Sequence, residues 1–315
     1  MRIAVLDDYQ DVARSYADWD GLDVEVFTEH VADVDELVAA LEPFDVIAAM
    51  RERTRFPREV ITRLPNLKLL VTTGMRNASI DVEAASDHGV VVAGTGSGGG
   101  WGATSELAWG LIFALLRDIP GQDRQVRTGG WQTGVGVELG GKTLGLLGLG
   151  RLGSQVADVA RAFGMNVIAW SSNLTEQRAA EAGARLVGKD ELFAESDVLS
   201  VHLVLGERSR GLVGADELAM MKPTAFLINT SRGPIVDEAA LRAALHEGRI
   251  AGAGIDVYGT EPLPVDDPWR STPRTVLTPH IGYVTDDTYE AFFTETVENI
   301  RAFAEGSPIR VLNGG

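Results

Sequence analysis

Three side chains in the C-terminal third of the sequence are of types that could act together on a small acid. Arg232 lies in the run NTSRGP, Glu261 in YGTEP and His280 in TPHIG. An arginine held in a turn can bind a carboxylate through two parallel hydrogen bonds. A histidine transfers protons near neutral pH, and a glutamate beside it favours its protonated form. Each residue alone is more often a surface or structural group, but together they predict proton transfer on a carboxylate-bearing substrate.

A glycine-rich turn, GLGRLG, precedes these residues and matches the pattern G-x-G-x-x-G. An apolar run leads into it and an amphipathic run follows, which is the context that indicates a dinucleotide site. In such a site Gly148 allows the tight turn, Gly150 lets a pyrophosphate approach the backbone, and Gly153 lets the helix pack on the strand. We expect the amides at Arg151 and Leu152, where the helix begins, to bind the phosphates.

The next predicted strand lacks the acidic residue that commonly binds the adenosine ribose about 20 residues after the turn. Ser171, Ser172 and Asn173 follow that strand instead. Either hydroxyl and amide groups bind the ribose, or the cofactor carries a 2′-phosphate. The nearest downstream cation, Arg178, falls on a predicted helix, where a solvated surface charge is expected.

The elements that must position these residues alternate regularly between short apolar runs and amphipathic runs. Several apolar runs are continuous, as expected for parallel strands covered on both faces. The predicted strands are Ile3–Leu6, Val24–Phe27, Val46–Ala49, Leu67–Thr73, Val90–Ala93, Thr143–Gly148, Asn166–Trp170, Val198–His202, Ala225–Asn229, Gly254–Val257 and Val276–Thr278. The predicted helices include Val34–Leu41, Ala103–Arg117, Leu152–Phe163, Glu238–His246 and Asp286–Ala304. This alternation predicts an α/β fold with doubly wound parallel sheets.

The length and the place of the glycine turn indicate two lobes. Dividing 315 residues by a domain size of about 150 suggests two domains. We predict a smaller, discontinuous, flavodoxin-like substrate domain over 1–98 and 285–315, and a Rossmann dinucleotide-binding domain over 99–284. The glycine-rich segment Gly94–Gly102, GTGSGGGWG, is the candidate hinge.

The composition excludes several classes of function. Lys and Arg number 28 against 45 Asp and Glu, a formal net charge of −17, which disfavours nucleic acid and anionic membranes as partners. Cysteine is absent, which excludes disulfides, a catalytic thiol and cysteine-ligated metals, and we expect no metal site. The start, MRIAVLDDYQ, carries acids where a signal peptide needs an apolar stretch. We therefore expect a cytoplasmic protein.

With these motifs together, the sequence resembles the D-isomer-specific 2-hydroxyacid dehydrogenase family, including its phosphoglycerate dehydrogenases and hydroxypyruvate reductases, over nearly its whole length. The resemblance rests on the motifs ATSELA, GKTLGLLGLGRLG, NTSRGPIVDEAAL, AGAGIDVYGTEP and TPHIG. It implies that Arg232 binds the substrate carboxylate and carbonyl, that Glu261 orients the histidine, and that His280 is the acid/base. It also implies that Asp256 lies near the nicotinamide and that the protein is a homodimer joined through the nucleotide-binding lobe.

Further residues are expected beside the cofactor. Thr230 and Ser231 follow a predicted strand, and His202 ends another, although a structural role is equally open for His202. The resemblance favours NAD as the main cofactor. NADP remains possible, because Ser171 stands where an acid would repel the 2′-phosphate.

One loop departs from the family pattern. The family often has a loop of small residues whose amides bind the substrate carboxylate, and here the loop reads TGMRNASID. Gly74, Met75 and Arg76 are expected to face the substrate, with Arg76 and Asn77 replacing small residues. Arg51 lies in a stretch similar to one that helps phosphoglycerate dehydrogenases hold their substrate, although a surface turn would explain the charges of this stretch nearly as well.

The expected function is hydride transfer between NAD(P) and a small D-2-hydroxy acid and its 2-keto acid, with His280 exchanging the hydroxyl proton. One alternative is a dinucleotide-sensing protein of the corepressor kind on the same scaffold. Another is a dehydrogenase for a different small acid, such as formate.

Overall fold

The structure is a computed structural model that describes residues 1–96 and 102–314. The chain divides into two compact units, one formed by Met1–Gly100 with Val284–Gly315 and the other by Trp101–Tyr283. The assignment of 1–98 with 285–315 to substrate binding stays a prediction. So does the hinge, since residues 97–101 of Gly94–Gly102 lie outside the described residues.

Parallel strands and intervening helices build both units. The strands are β1 (Arg2–Val5), β2 (Asp23–Val26), β3 (Val46–Ala49), β4 (Leu69–Thr72), β5 (Val91–Gly94), β6 (Thr143–Leu147), β7 (Asn166–Trp170), β8 (Arg185–Leu186), β9 (Val198–Val201), β10 (Phe226–Asn229), β11 (Gly252–Ile255) and β12 (Thr275–Leu277). The helices are α1 (Ala13–Tyr16), α2 (Val34–Leu41), α3 (Arg58–Ile61), α4 (Val82–Asp87), α5 (Ala103–Leu116), α6 (Ile119–Arg127), α7 (Arg151–Ala162), α8 (Glu176–Glu181), α9 (Lys189–Glu195), α10 (Ala215–Met220), α11 (Glu238–His246) and α12 (Asp286–Ala304).

The first unit contains a five-stranded parallel sheet in the order β2-β1-β3-β4-β5, the flavodoxin-like order. Residues of β1, β3 and β4 are almost all buried, which explains their unbroken apolar sequence. Its core contains the side chains of Leu41, Ile47 and Leu70, each at most 1% exposed. The carboxyl ends of β3 and β4 lead into the segments that contain Arg51 and Gly74.

The second unit contains a seven-stranded parallel sheet in the order β12-β11-β10-β9-β6-β7-β8. In the registers of β6 with β7 and β9, Leu147 lies opposite Trp170 and Val201. The residues that follow, Gly148, Ser171 and His202, therefore lie side by side at the edge of the sheet formed by the carboxyl ends of its strands.

The same edge continues across β10, β11 and β12, where Ile255 pairs with Asn229 and Leu277. The segments that contain Arg232, Glu261 and His280 begin there. The two parallel sheets with interleaved helices confirm the predicted α/β class.

The predicted strands Val46–Ala49 and Asn166–Trp170 coincide with β3 and β7, and the other predicted strands differ from the observed ones by one or two residues at one or both ends. β11 begins two residues earlier than predicted, at Gly252, in the run GAG that lacks a strand-like apolar pattern. A Cβ at Gly254 would lie 3.0 Å from the Cβ of Leu111, so glycine lets α5 pack closely on this strand. The two-residue edge strand β8 was not predicted.

No helix within the described ranges is long and apolar enough to cross a membrane. The cytoplasmic location and the absence of nucleic-acid partners stay predictions.

Candidate active site

The glycine turn between β6 and α7 has the geometry of a dinucleotide cradle. Gly148 has φ +104°, and a Cβ there would lie 2.6 Å from the carbonyl oxygen of His202. A Cβ at Gly153 would collide with the carbonyl of Gly148, so glycine is needed for the helix to approach the strand. At Gly150 a Cβ would meet no described atom within 4 Å, which leaves space beside the backbone. No side chain caps the N-terminus of α7, so its first amides can bind a pyrophosphate.

Ser171 begins the segment that follows β7, next to this turn. The amide of Gly148 donates a hydrogen bond to the carbonyl oxygen of Trp170 at 2.9 Å, which brings the end of β7 beside the cradle. Arg151 and Arg178 are exposed, and Arg178 lies on α8, as expected from the sequence. The ribose-binding role of Ser171 stays a prediction.

His202, at the end of β9, lies behind the cradle. Its Nε2 is 2.8 Å from the hydroxyl of Ser200, which is fully buried. Loss of hydration lowers the pKa of His202 from 6.5 to about 4, so the imidazole is neutral at physiological pH. This side chain therefore has a defined structural contact, and a direct contact with the cofactor stays a prediction.

The hydroxyl of Thr230 suits a polar ligand. The residue is 5% exposed, and its Oγ1 is buried without a hydrogen-bond partner among the described residues. The neighbouring Ser231 hydroxyl donates to the carbonyl oxygen of Leu203, which ties this segment to the one after β9. A buried polar atom without a partner is rare in native proteins, and a cofactor beside β10 would satisfy it. Thr230 and the open space at Gly150 both fit a bound dinucleotide.

The turn that carries Arg232 is braced from β10. The side chain of Asn229 accepts from the amide of Ser231 at 3.0 Å and donates to the carbonyl oxygen of Arg232 at 3.0 Å. Arg232 Nη1 donates to the carbonyl oxygen of Ser231 at 2.7 Å. A Cβ at Gly233 would lie 2.7 Å from the amide nitrogen of Gly259 and would collide with the carbonyl of Tyr258. Glycine therefore lets the Arg232 turn pack against the loop that leads to Glu261.

Glu261 and His280 form a hydrogen-bonded pair. His280 Nδ1 lies 2.5 Å from Glu261 Oε2, and the two side chains are 19% and 28% exposed. The other carboxylate oxygen of Glu261 accepts from the amide of Tyr258 at 2.8 Å. His280 has a left-handed φ of 53°, an uncommon conformation that its turn must hold in place. Because Nδ1 is engaged by Glu261, Nε2 is the nitrogen that can exchange a proton with a substrate.

Asp256 holds this turn, a role that the sequence did not indicate. The carboxylate is fully buried and accepts from the Thr278 hydroxyl at 2.6 Å, the Ile281 amide at 2.8 Å and the Gly282 amide at 3.0 Å. Burial raises the pKa of Asp256 above its usual range, and these hydrogen bonds oppose that shift. The aspartate thus fixes the residues on both sides of His280. The expected contact of Asp256 with the nicotinamide stays a prediction.

Several predicted substrate residues of the first unit lie close to one another. Arg51 has a left-handed φ of 54°, and its amide donates to the hydroxyl of Thr73 at 2.8 Å. A Cβ at Gly74 would collide with the guanidinium of Arg51, so this glycine makes room for the cation. Asn77 donates to the carbonyl oxygen of Arg51 at 2.6 Å, and its place in the loop is therefore structural.

The next two residues of this loop reach solvent. Met75 and Arg76 are both exposed, and the substrate roles of Gly74, Met75, Arg76 and Arg51 stay predictions. Sequence reasoning also missed the bracing by Asn229 and the contacts of the Tyr258 backbone, which depend on how neighbouring turns meet.

Known proteins show the same architecture. Residues 109–282 match the model of the D-isomer specific 2-hydroxyacid dehydrogenase NAD binding domain. A D-3-phosphoglycerate dehydrogenase of Archaeoglobus fulgidus is 36% identical over 312 residues, covering 98% of this chain but 58% of its own length. The chain therefore spans little more than half of that relative. A glyoxylate reductase of Aeropyrum pernix is 41% identical over 269 residues, covering 82% of this chain and 80% of that protein.

A solved structure agrees with these relatives. The phosphoglycerate oxidoreductase of Vibrio cholerae O395 superposes with a TM-score of 0.92 at 39% identity, covering 97% of this chain and 99% of that one. These matches confirm the predicted fold and the predicted NAD(P)-binding domain. The chain belongs to the D-isomer-specific 2-hydroxyacid dehydrogenase family.

Proposed function

We propose that the protein is an NAD(P)-dependent dehydrogenase that interconverts a small D-2-hydroxy acid and its 2-keto acid. The observation that carries the proposal is the 2.5 Å Glu261–His280 pair, which lies on the same sheet edge as the glycine cradle and the Arg232 turn. Ligands of open α/β sheets bind at this edge.

Each of the three side chains has a defined role in this mechanism. The Arg232 guanidinium binds the carboxylate and polarises the oxygen on C2. In oxidation, His280 Nε2 takes the hydroxyl proton as the hydride leaves C2, and in reduction it returns that proton to the oxygen. Glu261 stabilises the imidazolium that forms. When bound, the nicotinamide accepts or supplies the hydride.

A substrate panel tests the proposal. Glyoxylate, hydroxypyruvate, pyruvate and phosphohydroxypyruvate are each supplied with NADH and with NADPH, and oxidation of the cofactor is followed by its absorbance. We expect turnover of at least one keto acid to a product of D configuration, or to glycolate, which has no stereocentre. Binding of NADH without turnover of any of the four would favour the dinucleotide-sensing alternative. Turnover of formate with NAD, but of no keto acid, would favour the alternative of a dehydrogenase for a different small acid.

We also propose that two copies associate through the second unit. The stretch between α6 and β6 exposes apolar side chains, with Trp131 74% and Val135 100% exposed. Burial of such side chains in a partner is favourable. Light scattering should give a dimer for the wild type and a monomer for Trp131→Asp. The control Val265→Asp, at a residue 92% exposed outside this stretch, should remain a dimer. A dimeric Trp131→Asp would contradict the proposed interface.

A further inference from the structure

The peptide group between Tyr258 and Gly259 lies where the catalytic turns of the second unit meet. On one side it packs against Gly233, next to Arg232. A Cβ at Gly233 would collide with the Tyr258 carbonyl, so no larger residue fits at that position. The Tyr258 amide, in the preceding peptide group of the same segment, donates to Glu261 at 2.8 Å. The position of this one backbone segment therefore affects how the Glu261 carboxylate is aimed at His280.

The side chain of Tyr258 anchors the same segment to the histidine turn. Its ring packs edge-on against Trp269, with centroids 6.4 Å apart, and the residue is 7% exposed. Its hydroxyl donates to the carbonyl oxygen of Thr278 at 3.0 Å, two residues before His280. Burial raises the pKa of Tyr258 far above its usual value, so the hydroxyl remains a donor at every working pH.

Glu238 holds the other end of this peptide from a neighbouring element. It is the first residue of α11, and its Oε1 accepts from the Gly259 amide at 2.7 Å. Its other carboxylate oxygen lies 4.0 Å from Arg242 Nη1, one turn along the helix. Gly259 has no side chain of its own to anchor it, and this hydrogen bond ties its backbone to the start of α11.

We propose that Glu238 is a positioning residue that acts through the Tyr258–Gly259 peptide to keep Glu261 aimed at His280. The inference rests on the proposed function, in which His280 is the acid/base. Without the Glu238 carboxylate, Gly259 loses its acceptor and the loop that bears Glu261 can move. Glu261 then stabilises the protonated imidazole less well, because a charge interaction in a partly buried site weakens with distance.

The groups around the imidazole stay unchanged in this test. Among the described residues of this unit, Glu261 is hydrogen-bonded to His280, and Asp256 interacts with the imidazole through its charge. The ring of Tyr283 lies edge-on, with centroids 5.5 Å apart. None of these residues is replaced in the variants, so a shift in the titration of His280 reports the position of Glu261.

The experiment compares Glu238→Ala, Glu238→Gln and, as a control at the opposite end of the same helix, Glu247→Ala, at an exposed residue. The His280 ring is titrated by NMR with labelled histidine, and kcat/KM for keto-acid reduction is measured against pH. We expect Glu238→Ala to lower the titration midpoint of His280 and to move the alkaline limb of kcat/KM to lower pH. The effect should reach about threefold in kcat/KM above the midpoint, since a loosened rather than lost charge partner changes an equilibrium by a fraction of a pH unit.

Glu238→Gln keeps an acceptor oxygen and should titrate as the wild type does, as should Glu247→Ala. An unmoved His280 titration in Glu238→Ala would overturn the inference, even if that variant melts at a lower temperature. Because the NMR titration needs no substrate, it separates this outcome from a failure of the proposed function, which would appear as a wild type inactive on every keto acid.

Discussion

Between pH 7 and pH 5 the free energy of unfolding should fall less in the variant His202→Gln than in the wild type. The imidazole is partly buried behind the glycine cradle, and loss of hydration lowers its pKa to about 4. In the unfolded chain it would bind a proton near the usual value of 6.5. The unfolded state therefore binds more protons between pH 6.5 and pH 4, and folding stability falls as the pH falls through this window.

The size of the effect follows from the two pKa values. The pKa of His202 is 6.5 in the unfolded chain and about 4 in the folded protein. This difference lowers the free energy of unfolding by about 2 kcal/mol from pH 7 to pH 5. Glutamine cannot titrate in this range, and its terminal amide can reach the position of Nε2 near the Ser200 hydroxyl. The variant should therefore keep the local hydrogen bond while it loses this part of the pH dependence.

Urea unfolding at pH 7 and pH 5 measures the difference. The free energy of unfolding of the wild type should fall by about 2 kcal/mol more than that of His202→Gln over this interval. His246→Gln, at an exposed residue of the same unit, is the control and should behave as the wild type does. If His202→Gln and the wild type lose the same free energy, His202 takes up its proton in the folded state, and the reasoning from desolvation is wrong.

Three further substitutions test the predicted binding roles. Ser171→Asp should raise the ratio of kcat/KM with NADH to kcat/KM with NADPH at least several-fold. The carboxylate would accept hydrogen bonds from the ribose hydroxyls of NADH and repel the 2′-phosphate of NADPH. An unchanged ratio would place residue 171 away from the ribose. Arg232→Lys should lower kcat/KM by about tenfold to a hundredfold, since a charge-assisted hydrogen bond contributes about 1.5–3 kcal/mol; equal activity would rule out bidentate binding. Arg76→Gly should raise the KM for phosphohydroxypyruvate more than the KM for glyoxylate. Equal increases for both substrates would assign Arg76 a structural role.

The sequence was most informative where local rules decide the structure. The bounds of α11 and α12 were predicted to the residue, because apolar periodicity defines the span of each helix and Gly248 follows α11 with a left-handed φ of 69°. The catalytic candidates could be placed at one sheet edge because parallel strands all end there.

What the sequence could not show depends on contacts between turns. The hydrogen bonds of Asp256 with residues 278–282 join segments more than twenty residues apart and have no periodic signature. The same holds for the contact of Glu238 with Gly259. The strand β8 has only two residues and lies at a sheet edge, too short for a pattern to mark it.

The central claim is that His280, paired with Glu261, exchanges the substrate proton. It is tested most directly by kcat for keto-acid reduction in His280→Ala, with the dissociation constant for NADH measured by fluorescence on the same protein. We expect kcat to fall by about 10²–10⁴-fold, the usual contribution of a positioned acid/base, while NADH binding is nearly unchanged. Turnover within a few-fold of the wild type would contradict it and remove His280 from the mechanism.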